Sequence, residues 1–176
     1  PFGMALVGDE LYVANTDVVF AYPYNAGDTE ITGKSSRVKN LNAKAPNSHW
    51  TRNLAASPDG KTLFVAVGSN SNIAEGGMDK EADRARILAI VLATRKTVPY
   101  AVGLRNPVGL AFDSQGQLWT TVNERDMLGS DTVPDYLAQV AEGADYGWPH
   151  HYWGGFTDYR VQPPNDAKRQ YERRPE

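Results

Sequence analysis

The chain has 176 residues, of which 41% are hydrophobic and 22% charged, a balance ordinary for a soluble globular protein and long enough for one sizeable core. Its formal net charge is -3 and its Lys and Arg are scattered until the tail, so nucleic-acid binding lacks the basic surface it needs, and no apolar run approaches the roughly 20 residues of a bilayer crossing. The absence of cysteine excludes disulfides, thiol nucleophiles and Cys-ligated metals without deciding the compartment.

No secretory signal is visible, because the chain opens at Pro1 inside what already reads as a strand region, and the natural start is expected to lie upstream or to have been processed away. From there three segments repeat one pattern: a small-apolar-Ala run, a turn with Asp or Gly, then an apolar-aromatic strand. The first runs from Gly3-Met4-Ala5 through Gly8-Asp9 to Leu11-Tyr12-Val13, and the second from Asn53-Leu54-Ala55 through Asp59-Gly60 to Leu63-Phe64-Val65. The third runs from Gly109-Leu110-Ala111 through Gln115-Gly116 to Leu118-Trp119. Each reads as a β-hairpin.

Met4, Leu54 and Leu110 recur at intervals of roughly 50 to 56 residues, which is room for a blade of about four strands with its loops. The fold class predicted is therefore all-β, a β-propeller of which about three blades are present in residues 1–161, with 162–176 a Pro- and charge-rich linker or loop. An open antiparallel sheet or sandwich is the alternative. Closed rings take about four to eight blades, so the chain is expected to be a piece of a ring or to close one by self-association. Met78 to Ala85 is the one helix-like stretch; being short and charged, it reads as an excursion off a blade edge.

Gly103-Leu104-Arg105-Asn106-Pro107 carries the clearest chemistry. A guanidinium fork beside an amide, pinned by Pro and Gly, suits the oxygens of an anionic, carbonyl-bearing ligand, although an inter-blade salt bridge beside a turn-capping Asn is the plainer reading. Asn123-Glu124-Arg125-Asp126, with Asp131 and Asp135, offers the hard-oxygen set that Ca²⁺ prefers, or else a solvated acidic loop. Tyr146-Gly147-Trp148-Pro149 reads as structural packing between blades. His150 and His151 are adjacent and would point to opposite faces of a strand, a poor metal pair. Tyr152 and Trp153 could equally line a sugar-binding lip or pack.

Taken together, His49-Trp50-Thr51-Arg52-Asn53-Leu54, Ser57-Pro58-Asp59-Gly60, Val67-Gly68-Ser69-Asn70-Ser71-Asn72, Gly103-Leu104-Arg105-Asn106-Pro107, Asn123-Glu124-Arg125-Asp126 with Val133-Pro134-Asp135-Tyr136, and Tyr146-Gly147-Trp148-Pro149 resemble the sorbosone dehydrogenase branch of the soluble pyrroloquinoline quinone (PQQ) sugar dehydrogenases. The resemblance covers nearly the whole chain. It implies a six-bladed propeller, PQQ and calcium as cofactors, a sugar substrate, a separate electron acceptor, and work in the periplasm or outside the cell. Members are much longer, so further blades that help grip PQQ are expected outside this chain.

The resemblance makes His49 the base that takes the hydroxyl proton while a hydride leaves the same carbon, a task suited to neutral imidazole. It makes Arg105 and Asn106 cofactor-binding residues, and it places calcium on the backbone carbonyls of Glu124 and Arg125. One departure is visible: relatives carry an Asp where this chain has Ser69, and a hydroxyl can accept from the imidazole but cannot stabilise an imidazolium as a carboxylate does. Asn70 or Asn72 is the expected substitute. Two other functions stay open: a non-catalytic propeller used as a binding platform, and a calcium-dependent propeller lactonase.

Overall fold

The computed structural model describes residues 1–152 and 155–161. The predicted tail and Trp153 lie outside them. Strands β1 (Met4–Val7), β2 (Glu10–Ala14), β3 (Val18–Pro23) and β4 (Ser36–Asn40) form one antiparallel sheet in sequence order. A second sheet repeats the meander with β5 (Leu54–Ala56), β6 (Thr62–Val67), β7 (Arg86–Val91) and β8 (Thr97–Val102). β9 (Pro107–Phe112), β10 (Leu118–Val122) and β11 (Tyr136–Gln139) make a three-stranded third, and β12 (His151–Tyr152) pairs with β13 (Phe156–Thr157) beyond it. All three predicted hairpins are present, as β1-β2, β5-β6 and β9-β10.

The sheets stack face to face. In β6 the five residues from Leu63 to Val67 are all buried, which is why this strand is a continuous apolar run and not a polar-apolar alternation. Leu63, Val65 and Val67 pack with Tyr12, Val19 and Ala21 of the first sheet. Phe64, on the opposite face, packs with Leu118 and Val122 of the third, its ring edge-on to Tyr100 and Phe112 at 4.9 and 5.4 Å. The middle sheet thus has two cores, one on each side, as a propeller blade requires and a two-layer sandwich does not.

The first strands of successive sheets are neighbours, β1 against β5 and β5 against β9. This is the radial order of blades around an axis, and the chain is all-β with about three blades. Register puts the loops that precede β5 and β9, and those that follow β6 and β10, at one end of the sheets, since Leu54 faces Val65 and Pro107 faces Val122. The helix-like stretch is a single 3₁₀ turn, Met78–Glu81, inside the long connection from β6 to β7.

Candidate functional site

Backbone hydrogen bonds tie these end loops into one surface. Ser48 N donates to Asn70 O at 3.2 Å, Ser69 N to Arg105 O at 2.6 Å, and Asn123 N to Asn106 O at 3.0 Å. His49, Ser69, Arg105, Asn106 and the 123–126 loop, far apart in sequence, therefore share one mouth of the stacked sheets. Gly68 permits the closest approach. A Cβ there would run into Asn106 Oδ1 and stand 2.6 Å from the His49 Cβ, so a side chain would wedge the imidazole loop from the Arg-Asn turn. Gly103 serves that turn differently: with φ at 71° and the backbone N of Gly147 2.5 Å from where a Cβ would be, it needs both left-handed backbone and an absent side chain.

His49 is half-buried, and its Nδ1 lies 2.9 Å from both the carbonyl O and the Oγ of Ser69. The carbonyl can only accept. Ser69 Oγ donates its own hydrogen to Ser71 O at 2.6 Å, so toward His49 it too can only accept. Nδ1 therefore carries the proton, and Nε2, which takes no hydrogen bond among the described residues, holds the basic lone pair. Burial, reinforced by the charge of Arg105, lowers the His49 pKa from 6.5 to about 4, so the ring is neutral at neutral pH.

Arg105 is only 2% exposed. Its fork donates to Asn72 O and Oδ1 at 3.1 and 2.8 Å, to Asn123 O at 3.1 Å, and to Asp126 Oδ2 at 2.8 Å. The salt bridge is present, but it runs to Asp126 in the loop after β10 of the same sheet that Arg105 leads into and not between blades, and that carboxylate is 71% exposed. Asn106 is buried beside it, and its Oδ1 has no hydrogen-bond partner.

Three carboxylates of the 123–135 segment, those of Glu124, Asp126 and Asp135, are used on the protein itself. Asp135 accepts from Glu124 N at 2.9 Å and from Asn123 Nδ2 at 3.2 Å, Asp126 holds Arg105, and the buried Glu124, whose pKa burial pushes up, accepts from Arg125 N at 3.0 Å. Among the described residues no three His, Asp or Glu side chains converge as a metal cluster, so His150 and His151 make none either. The carbonyls tell a different story. Those of Asn123, Asp126 and Met127 accept from Arg105, Asn72 and Arg160. Those of Glu124 and Arg125 between them accept no hydrogen bond among the described residues. The loop is anchored from outside by the Arg125–Asp158 ion pair, 2.8 Å apart with both side chains at or below 4% exposure.

Several residues at the site carry no obvious sign in the sequence. Asn72 does not assist His49; it links three blade loops, accepting from Arg105, from Asp126 N at 2.9 Å and from the Trp148 indole at 3.0 Å. Asn70 likewise leaves His49 alone, its Oδ1 accepting from Asn47 N at 2.6 Å. That Trp148 bond makes Tyr146-Gly147-Trp148-Pro149 the inter-blade packing element expected, while Tyr152 stacks on Phe156 at 5.8 Å. Arg52 and Arg84, 1% and 2% exposed, lie beneath the His49 loop and both donate to His49 O at 2.8 Å. Burial, with the neighbouring charge of Arg84, lowers Arg52 to about 9. Arg52 stands inside the quoted His49 motif and Arg84 in the charged stretch, but nothing local marks either as buried.

Stacked antiparallel blades with a histidine, an arginine and an amide at one mouth define a fragment of a β-propeller with a polar end site. Residues 2–139 match the TrAA12-like family, and the chain belongs to it. Among solved structures, the Carbohydrate-Active Enzymes Family AA12 protein of Trichoderma reesei shares 24% identity over 89% of this chain and 46% of its own, with a TM-score of 0.67. The PQQ-bound aldose sugar dehydrogenase of Streptomyces coelicolor shares 22% over 90% of this chain and 53% of its own, with a TM-score of 0.63. The PQQ domain of the Coprinopsis cinerea pyranose dehydrogenase shares 17% over 98% of this chain and 47% of its own, at a TM-score of 0.67. An uncharacterized protein of Borreliella burgdorferi is 25% identical over 169 residues, 90% of this chain and 44% of the relative. The chain thus spans about half the length of the proteins it matches, and the structural likenesses establish the propeller fold.

Proposed function

We propose that this chain forms part of a PQQ- and calcium-dependent dehydrogenase that oxidises a sugar of the aldose or sorbosone type. The observation that carries this reading is the His49–Ser69 geometry: a neutral imidazole with its proton on Nδ1 and its Nε2 lone pair uncommitted, in the same mouth as Arg105 and Asn106. When bound, PQQ would supply a two-electron hydride acceptor and Ca²⁺ a Lewis acid beside it.

The residues fit both groups. The exposed Asp126 is the one carboxylate on the Arg105 fork among the described residues, so an anionic oxygen can replace it there at small cost. The open carbonyls of Glu124 and Arg125 are hard main-chain oxygens of the kind Ca²⁺ takes. In the reaction His49 Nε2 accepts the substrate hydroxyl proton as the C–H hydride departs to the acceptor. Negative charge placed beside Arg105 offsets one of the influences that depress His49 and makes it a stronger base. A hydrolase of the lactonase type would instead gather Glu and Asn side chains from several blades on one calcium. The sugar dehydrogenases among the structural neighbours support sugar oxidation; an external electron acceptor and a periplasmic or secreted location accompany the reading.

The test is a titration of the chain with PQQ and Ca²⁺, following the quinone absorbance and dye-linked turnover of aldoses and sorbosone, with molecular mass measured in the same sample to detect ring closure by self-association. Binding weakened at least about tenfold in Arg105→Ala, with turnover lost in His49→Ala, is expected. A folded chain that leaves the quinone spectrum unchanged, alone and within a longer version carrying the remaining blades, would overturn the reading.

A further inference from the structure

Within the long connection from β6 to β7, the short charged stretch Met78 to Ala85 reads from sequence as an excursion off a blade edge, yet two of its charged side chains are among the most buried of the described residues: Glu81 at 4% and Arg84 at 2% exposure. Asp83 and Ala85, on either side of Arg84, hold left-handed φ values of 59° and 53°, an uphill conformation for residues with a Cβ. The turn is built to send Arg84 inward.

Both buried groups converge on the residues that orient His49. Glu81 accepts from Asn70 N at 2.6 Å and from Ser71 Oγ at 2.5 Å, pinning Ser71 by its backbone neighbour and its hydroxyl. Ser71 O in turn takes the Ser69 hydroxyl hydrogen. Arg84 spends all its N–H groups on oxygens of the same assembly: Gly68 O at 2.6 Å, Ser69 O and His49 O each at 2.8 Å, Asn42 O at 2.8 Å and Asn47 Oδ1 at 2.6 Å.

This arrangement answers a problem created by Ser69. A carboxylate under Nδ1 could only accept, whereas a hydroxyl can rotate and donate. If Ser69 Oγ–H turned toward Nδ1, the ring would move its proton to Nε2 and lose the basic lone pair. The Ser71 carbonyl prevents this by holding that hydrogen, and Glu81 holds Ser71 in place. We propose that the 78–84 excursion is a positioning element for His49, in which Glu81, acting through Ser71 and Ser69, and Arg84, acting on the Ser69 and His49 carbonyls, fix the imidazole as its Nδ1–H tautomer. Its catalytic meaning rests on His49 being the base, but the tautomer itself does not.

The test is histidine-selective ¹⁵N labelling of the chain without cofactor, reading the tautomer from the two-bond ¹⁵N–¹H couplings at near-neutral pH and identifying His49 by the signals lost in His49→Gln. The wild-type ring is expected as Nδ1–H. In Glu81→Gln and Ser71→Ala the ratio of Nδ1–H to Nε2–H should fall about tenfold, the effect of about one net hydrogen bond. Ser71→Ala removes a single oxygen and is the variant to read if Glu81→Gln does not fold. A wild-type ring in the Nε2–H form, or an unchanged ratio in a folded variant, overturns the proposal. Failure of quinone binding would sink the dehydrogenase reading and leave this measurement unaffected, so the two can fail separately.

Discussion

The two loop regions that meet at the mouth are stabilised by opposite means. On the His49 side, buried guanidinium groups donate to backbone carbonyls: Arg52 and Arg84 between them hold Asn42 O, His49 O, Thr51 O, Gly68 O and Ser69 O. On the 123–135 side, carboxylates accept from backbone amides and arginines, through Asp135, Glu124, Asp126 and Asp158. The first device builds the buried setting in which burial, with the charges of Arg105 and Arg84, keeps the imidazole neutral. The second uses Glu124, Asp126 and Asp135 on internal bonds, and the Glu124 and Arg125 carbonyls are among the loop oxygens that accept no hydrogen bond among the described residues. A site can thus acquire a neutral base and an oxygen-lined cradle from the same residue types, according to which partner, carbonyl or amide, the charged group is given.

The comparison can be broken most severely at its acidic end. Asp158→Asn removes the charge facing Arg125 in a site where both are buried, and loss of one partner of such a pair costs about 3 kcal/mol; urea unfolding should show the lower midpoint with an unchanged slope. A smaller effect is expected where the regions touch. Gly68→Ala inserts a methyl between His49 and Asn106 at a cost of about 1–3 kcal/mol, and should perturb the His49 ring signals more than those of His150 and His151.

The mildest change sharpens the electrostatic contrast. Because the folded His49 pKa of about 4 lies below the ordinary 6.5, the folded state binds fewer protons than the unfolded one as pH falls. Its contribution to stability is complete above about pH 6.5 and is lost as pH falls through about 4. His49→Gln should flatten that part of the stability–pH curve, and Ser69→Asp, by restoring an acid under Nδ1, should raise the titration midpoint of His49 in ¹³C-detected NMR. A midpoint that stays put in a folded Ser69→Asp variant would mean that the surrounding positive charge, not the missing acid, governs the ring.

What was legible in the sequence was local. Asp59-Gly60 and Gln115-Gly116 between apolar runs announced their hairpins because a turn's chemistry sits in its own few residues, and Leu63-Phe64-Val65 announced an apolar-aromatic strand beyond the turn. Arg105 and Asn106 stood out because Pro107 and Gly103 constrain them. In the charged stretch Met78 to Ala85 nothing local marks which charges are buried, since Glu81 and Arg84 look like Asp79, Lys80 and Asp83 beside them in sequence and differ only in where the folded excursion carries them.

The order of the strands, the three repeated hairpins and the residues competent to bind an anion or move a proton were determined by the sequence alone, because they follow from propensity and side-chain chemistry over short spans. The tertiary structure decided which of those groups are buried and which partner each one takes. Ser69 is an acceptor because Ser71 and Glu81 make it one, His49 is neutral because burial and Arg105 keep it so, and Arg105 is held by Asn72, Asn123 and Asp126 from other loops. Apart from the local Ser69–Ser71 bond, those properties depend on pairs brought together from 10 or more residues apart, as Ser71 and Glu81 or Arg105 and Asn123 are, and no single stretch of chain encodes them.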